Sequence, residues 1–212
     1  PFTFGTLELN GHILTLGGSG GLTLPNPLAM NVAEARIATG NADLTLDSPL
    51  QLDVGAITST GGTLKFADGV ALGSTGALDV SGSTLEVSQT LNLGGGTFSS
   101  DDGSVLNLLD DTVLSSNNPL AFQSVDLNSN ALSLGTASTH LSLSDPLTLD
   151  GNTLDTGLGS LTLSGTLTLS NGAQLTSSGG TLTLNAGGTA SAGTQFALPD
   201  TTLSLQDDLT LS

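Results

Sequence analysis

Leucine returns in this chain on a long step. Leu44, Leu64, Leu85 and Leu106 are spaced 20, 21 and 21 residues apart, and Leu141, Leu161, Leu182 and Leu203 repeat that spacing. Each sits in a short apolar–polar–apolar triplet such as Leu161-Thr162-Leu163 or Leu182-Thr183-Leu184. Period-two alternation sends both apolar residues of a triplet to one face and the central residue to the other. Neighbouring triplets begin only six to eight residues apart, as at Leu141 and Leu147 or at Leu161 and Leu167, too close for ordinary hairpin-linked strands. The combination predicts an all-β parallel β-solenoid with about 20–21 residues and three short strands per coil. An antiparallel meander of tiny hairpins accounts for the short spacing but not for the long one.

In such a coil each strand pairs with the strand one turn above and one turn below, about 4.8 Å away. The period therefore predicts ladders: Leu44, Leu64, Leu85 and Leu106 on one face, Leu50, Val70 and Leu91 on a second, Ile57, Leu78 and Phe98 on a third. Ten or so coils would make a rod of about 50 Å. Glycine pairs such as Gly61-Gly62 and Gly179-Gly180 are placed for corners. Pro49, Pro119 and Pro146 directly precede a triplet, where a missing N–H is tolerated. Only Asn31–Ile37 has helical spacing, and its β-branched and small residues suit a strand or bulge as well.

A second repeat is nested in the first. Shifting the chain by 97 residues lays Ser48-Pro49-Leu50-Gln51-Leu52-Asp53 over Asp145-Pro146-Leu147-Thr148-Leu149-Asp150. Upstream a shift of 92 lays Asn26-Pro27-Leu28-Ala29-Met30 over Asn118-Pro119-Leu120-Ala121-Phe122. The chain reads as one continuous solenoid of two related copies, residues 5–97 and 98–212. The change of five in the shift locates an insertion between Phe122 and His140, read as a protruding corner. Neither terminal stretch looks like a polar cap, and both ends look cut from something longer. End-to-end self-association, or continuation in a longer chain, is the expectation.

Composition narrows the function. Two basic residues, Arg36 and Lys65, stand against nineteen acidic ones for a net charge of −17, which argues against nucleic acid and anionic lipid. Sixteen of the acids are Asp, a turn-former, which places most of them in corners. Cysteine is absent, so disulfides and thiolate metal sites are excluded, and no apolar run is long enough to insert in a membrane.

The wording of residues 159–188, GSLTLSGTLTLSNGAQLTSSGGTLTLNAGG, resembles the passenger repeats of autotransporter adhesins and filamentous-haemagglutinin-type exoproteins. That resemblance implies a right-handed β-helix, an extracellular or cell-surface location, and a role in adhesion or biofilm. The expected function is a structural segment of a bacterial surface protein, forming a rigid stalk, fibre or filament for attachment to cells or matrix. The alternative is a module that recognises carbohydrate or a partner cell through its side ladders.

No catalytic, cofactor-binding or metal-ligating residue is assigned, and an enzyme is not expected. His12 and His140 lack a second histidine or an i+4 partner. The glycine runs lack the lysine of a phosphate loop. Asp101-Asp102, Asp110-Asp111 and Asp207-Asp208 are read as solvated corner acids, since the glycine-rich nonapeptide of calcium β-rolls is absent. Paired hydroxyls at Ser160/Thr162, Thr181/Thr183 and Thr202/Ser204 suggest a flat array of the kind that binds ice. Thr63/Lys65 and Thr84/Glu86 are read as interrupting it on the equivalent face of the first copy. Recognition is therefore sought where the copies differ: at Arg36, Lys65, Glu86 and the insertion before His140.

Overall fold

The computed structural model describes residues 1–212 and contains only strands, turns and bends. Every pairing between strands is parallel, and the chain winds through about ten coils of roughly 21 residues: it is a parallel β-solenoid. Chain order visits three faces in turn. The first face carries Leu22–Leu24, Leu44–Leu46 and Thr63–Phe66 and ends at Leu209–Leu211. The second runs through Leu132–Leu134, Thr153–Asp155 and Gln174–Thr176 to Gln195–Ala197. The third begins at Ile13–Thr15 and ends at Thr202–Leu205.

The expected ladders form in the expected register. Leu44 pairs with Leu64, Leu64 with Leu85 and Leu85 with Leu106. Leu50 pairs with Val70 and Val70 with Leu91, while Ile57 pairs with Leu78 and Leu78 with Phe98. Alternation puts these side chains inside, and 44 buried residues make one apolar column along the axis. Stacked leucines of equal length fill a narrow interior without large aromatics, which explains how so few suffice. Phe98 and Phe122 are an exception: their rings pack at 6.1 Å between centroids where Thr97–Ser99 and Leu120–Phe122 are not hydrogen-bonded to each other.

Three details sharpen or correct the expectation. Strands in the middle of the chain are not short: Leu50–Ser59, Val70–Asp79, Thr84–Asn92 and Val105–Ser115 each run around a corner onto the next face. Bulges absorb the bend, with register shifts between Leu52 and Val54 and between Leu108 and Thr112. The corner at Gly76 leaves no room for a side chain, since a Cβ there would lie 1.8 Å from the Leu52 carbonyl oxygen. Second, of the two readings open for Asn31–Ile37 the strand is the one that forms; a turn leads into Arg36–Gly40, because Ile37 takes a core position in the ladder between Leu14 and Ile57.

Third, the insertion is no protruding corner. Between Phe122 and His140 the chain lays down two strands, Ser124–Asp126 and Leu132–Leu134, where the corresponding stretch from Met30 to Leu44 has only Arg36–Gly40. The five additional residues, with the reshaped corners around them, build one more side of the prism. A shift of 97 residues consequently carries a residue four coils and two further faces along. Leu44 belongs to the first face and Leu141 to the third.

The stacked interior sets a clear stability contrast. Leu161→Ala should cost about 2–5 kcal/mol, since it empties a fully buried rung. Thr162→Ala, outward on the same strand, should cost less than about 1 kcal/mol. Urea unfolding followed by far-ultraviolet circular dichroism measures both. Gly76→Ala should be destabilising by about 1–3 kcal/mol through overpacking alone.

Candidate functional site

The residues singled out by charge are scattered by the winding. Lys65 stands outward on the first face beside Glu86 in the next coil, and the Glu86 carboxylate accepts from the Asn107 amide at 3.1 Å. Arg36 is outward on the third face, in register with Ile13 and Ala56. His12 precedes the first strand of the third face, and His140 begins a strand of that face several coils away, paired with Ser160. The structure therefore brings neither the two histidines nor the two cations together.

Corner acids bind the protein's own main chain. Asp101 accepts from Gly82 N–H at 2.8 Å, from Gly103 N–H at 3.0 Å and from the Ser104 hydroxyl at 2.8 Å. Gly82 belongs to the preceding coil, so this carboxylate clasps two turns together. The Gly82 N–H chiefly, then the Ser104 hydroxyl, hold its carboxyl below the ordinary value of 3.8, against a smaller opposing effect of burial. Asp111 accepts from Ala131 N–H at 2.7 Å and Asp43 from Thr63 N–H at 2.9 Å in the same way. These acids close corners, which is more than the solvated role expected of Asp101 and Asp111.

Inside the corners runs a set of hydroxyls that the sequence reading missed. Ser59, Ser83 and Ser104 are buried along one edge of the prism, and Ser116, Thr139, Thr156 and Ser177 along another. Ser83 donates to the Ser59 hydroxyl at 2.9 Å, and Ser104 donates to the Val80 carbonyl at 3.0 Å. Thr201 donates to the Ser177 hydroxyl at 2.8 Å. No buried side-chain polar atom lacks a partner. The available signal was a Ser or Thr two residues ahead of the leucine that opens a triplet, as at Ser83-Thr84-Leu85, Ser104-Val105-Leu106 and Thr139-His140-Leu141.

The outer threonines fall on two faces. Ser142, Thr162, Thr183 and Ser204 stack on the third face. Thr148, Thr168, Thr189 and Thr210 stack on the first face of the later coils. Lys65 and Glu86 also lie on the first face, not on the face of Thr162 and Thr183, so the array expected to be interrupted by them is a different surface. The added side rotated the second half and separated the two.

That added side also opens a cleft. Ser124–Asp126 pairs with Val105–Asn107 before it, and Leu147–Asp150 pairs with Leu167–Ser170 after it. These two strands are successive rungs of the first face, yet no ladder joins them. Between them lies a polar cavity of about 440 Å³ lined by Asp126, Asn128, Thr148, Asp150 and Asn152, with Pro146 as an apolar edge. One rim is the turn Leu127–Asn130, closed by Asn130 N–H donating to the Leu127 carbonyl at 2.7 Å. Its central residues Asn128 and Ser129 both have positive φ, 48° and 67°. The Asn128 amide is tied to the Leu108 carbonyl at 3.1 Å and to the Asn107 side chain. On the other rim Asp150 accepts from the Ser170 hydroxyl at 2.9 Å. The Asn152 amide spans the end of the cleft, accepting from Ser129 N–H at 3.1 Å and donating to the Asp150 carbonyl at 2.8 Å.

Comparison with protein-family models, with characterised proteins and with solved structures gives no match. The class is therefore defined by architecture alone: a parallel β-solenoid of about ten coils with acid-clasped corners.

The Asp101 clasp gives a signed pH dependence. A carboxyl held low in the folded state contributes stability above its unfolded value and loses it as pH falls through the lowered folded value. Acid titration of stability should show a loss below about pH 3.8 that is smaller in Asp101→Asn, whose amide oxygen keeps accepting from Gly82 and Gly103 without titrating.

Proposed function

We propose that this chain is a rigid spacer segment of an extracellular bacterial surface protein, serving as a stalk, fibre or filament in attachment. The observation that carries this reading is the apolar column of 44 residues running along the axis. Such a column resists bending because successive coils are bonded through at least two of the three faces, and length is added by stacking without any new fold. The acid excess supports an exposed, self-repelling surface, and the outward hydroxyls keep the side faces from pairing with other sheets. The repeat wording of residues 159–188 supports the placement on a bacterial surface.

Association through the ends fits the same reading. Core positions in the terminal coils stand open: Phe2 is 67% exposed and Leu211 63%, with Phe4, Leu203 and Leu205 also exposed. Burying such rungs under another coil removes apolar surface from water and pairs free strand edges. Stacking on another copy is one way to achieve both.

Negative-stain electron microscopy of the purified 212-residue chain, with sedimentation velocity, tests the proposal. Rods in multiples of about 50 Å are expected, and the double variant Phe2→Asp, Leu211→Asp should leave single rods. Compact particles without elongation would sink the rod reading, while single rods from the unmodified chain would remove only its end-to-end form.

A further inference from the structure

The cleft at the added side has the chemistry of a ligand groove, and we propose that it binds a neutral oligosaccharide. The first face carries a ladder between every pair of neighbouring rungs except this one. Main-chain donors and acceptors on the two facing edges thus lack the partners that the rest of the face has, and they are available to a polar ligand. Next to them stand carboxylate acceptors at Asp126 and Asp150, the Asn128 amide oxygen and the Thr148 hydroxyl. Donors and acceptors mixed at short range suit vicinal hydroxyls, each of which donates and accepts at once.

The lining also selects against other ligands. It has no Lys, Arg or His, so phosphates and acidic sugars meet only like charge. It is too polar for a lipid chain or an apolar peptide side chain. A calcium ion needs six to eight oxygens, and the lining offers two carboxylates, Asp126 and Asp150, with no third acid grouped beside them.

Both rims are held in place beforehand. Two successive residues with positive φ are costly outside glycine, and here the Asn128 amide bonds fix them. Beyond the cleft, Thr168, Thr189 and Thr210 continue the Thr148 column, one hydroxyl per coil at about 4.8 Å. A second cavity of about 440 Å³ follows that column beside Asp207 and Asp208. The geometry points to a sugar chain lying along the axis with its end seated in the cleft. This goes beyond the spacer reading and does not depend on it.

The test is an amide-resolved NMR titration of the full chain with maltotriose, cellotriose and mannotriose. At least one should shift the amides of 125–129 and 147–152, with a dissociation constant from about 0.1 to 10 mM as befits an open groove. Thr148→Arg, filling the cleft from an exposed strand position, should weaken that binding about tenfold or more, and Thr183→Arg on another face should stay within about twofold. The unperturbed amides of the remaining coils report that each variant is folded. No shift with any of the three sugars, shifts elsewhere, or equal loss in both variants would overturn the proposal. Calcium chloride alone producing the same shifts would overturn it in favour of a cation site. None of these outcomes bears on rod length, which the microscopy reads separately.

Discussion

Everything in this molecule depends on the parallel ladder between one coil and the next. A residue pairs with its equivalent about 4.8 Å up the axis, so its nearest neighbours are copies of its own environment. That condition rewards like on like. Leucine stacks on leucine at Leu44, Leu64, Leu85 and Leu106, and threonine on threonine at Thr148, Thr168, Thr189 and Thr210. It also penalises anything that cannot be continued, which is why bends are confined to corners.

The corners carry the polar part of the design. A coil turning three times in 21 residues leaves main-chain groups at each edge that no ladder can satisfy. Buried hydroxyls from Ser59 to Ser177 answer them from inside, and carboxylates such as Asp101 and Asp111 answer them from outside. The abundance of Ser and Asp, which on composition alone resembles a soluble or disordered chain, is here a mechanism for closing turns. The negative charge is a by-product of that mechanism as well as a surface property.

One departure from repetition gives the molecule an asymmetric surface. Adding a single side between Phe122 and His140 turns every later strand onto a different face. Ser59 and Ser104 line one edge of the prism, while Thr156 and Thr201, each 97 residues on, line another. The rung at the splice is left without a ladder on its outer edge, and a cleft opens there. A repetitive scaffold thus acquires a distinct place without any change in its core.

How much of this was legible follows from what kind of information a period is. Alternation of two and recurrence of 20–21 are local properties, so the residues alone determined which side chains point inward and which stack, down to the register of Val70 between Leu50 and Leu91. They also marked Arg36, Lys65, Glu86 and the insertion before His140 as places where recognition should be sought. Phase around the axis is not local. It accumulates corner by corner, and a five-residue difference can extend a corner or build a side with equal ease in one dimension. Only closure of the coils decided for a side, because Val125 could pair with Leu106 and bury Leu127. That decision placed Lys65 and Thr183 on different faces and made the cleft; the sequence determined the rungs, and the winding determined which way each one faces.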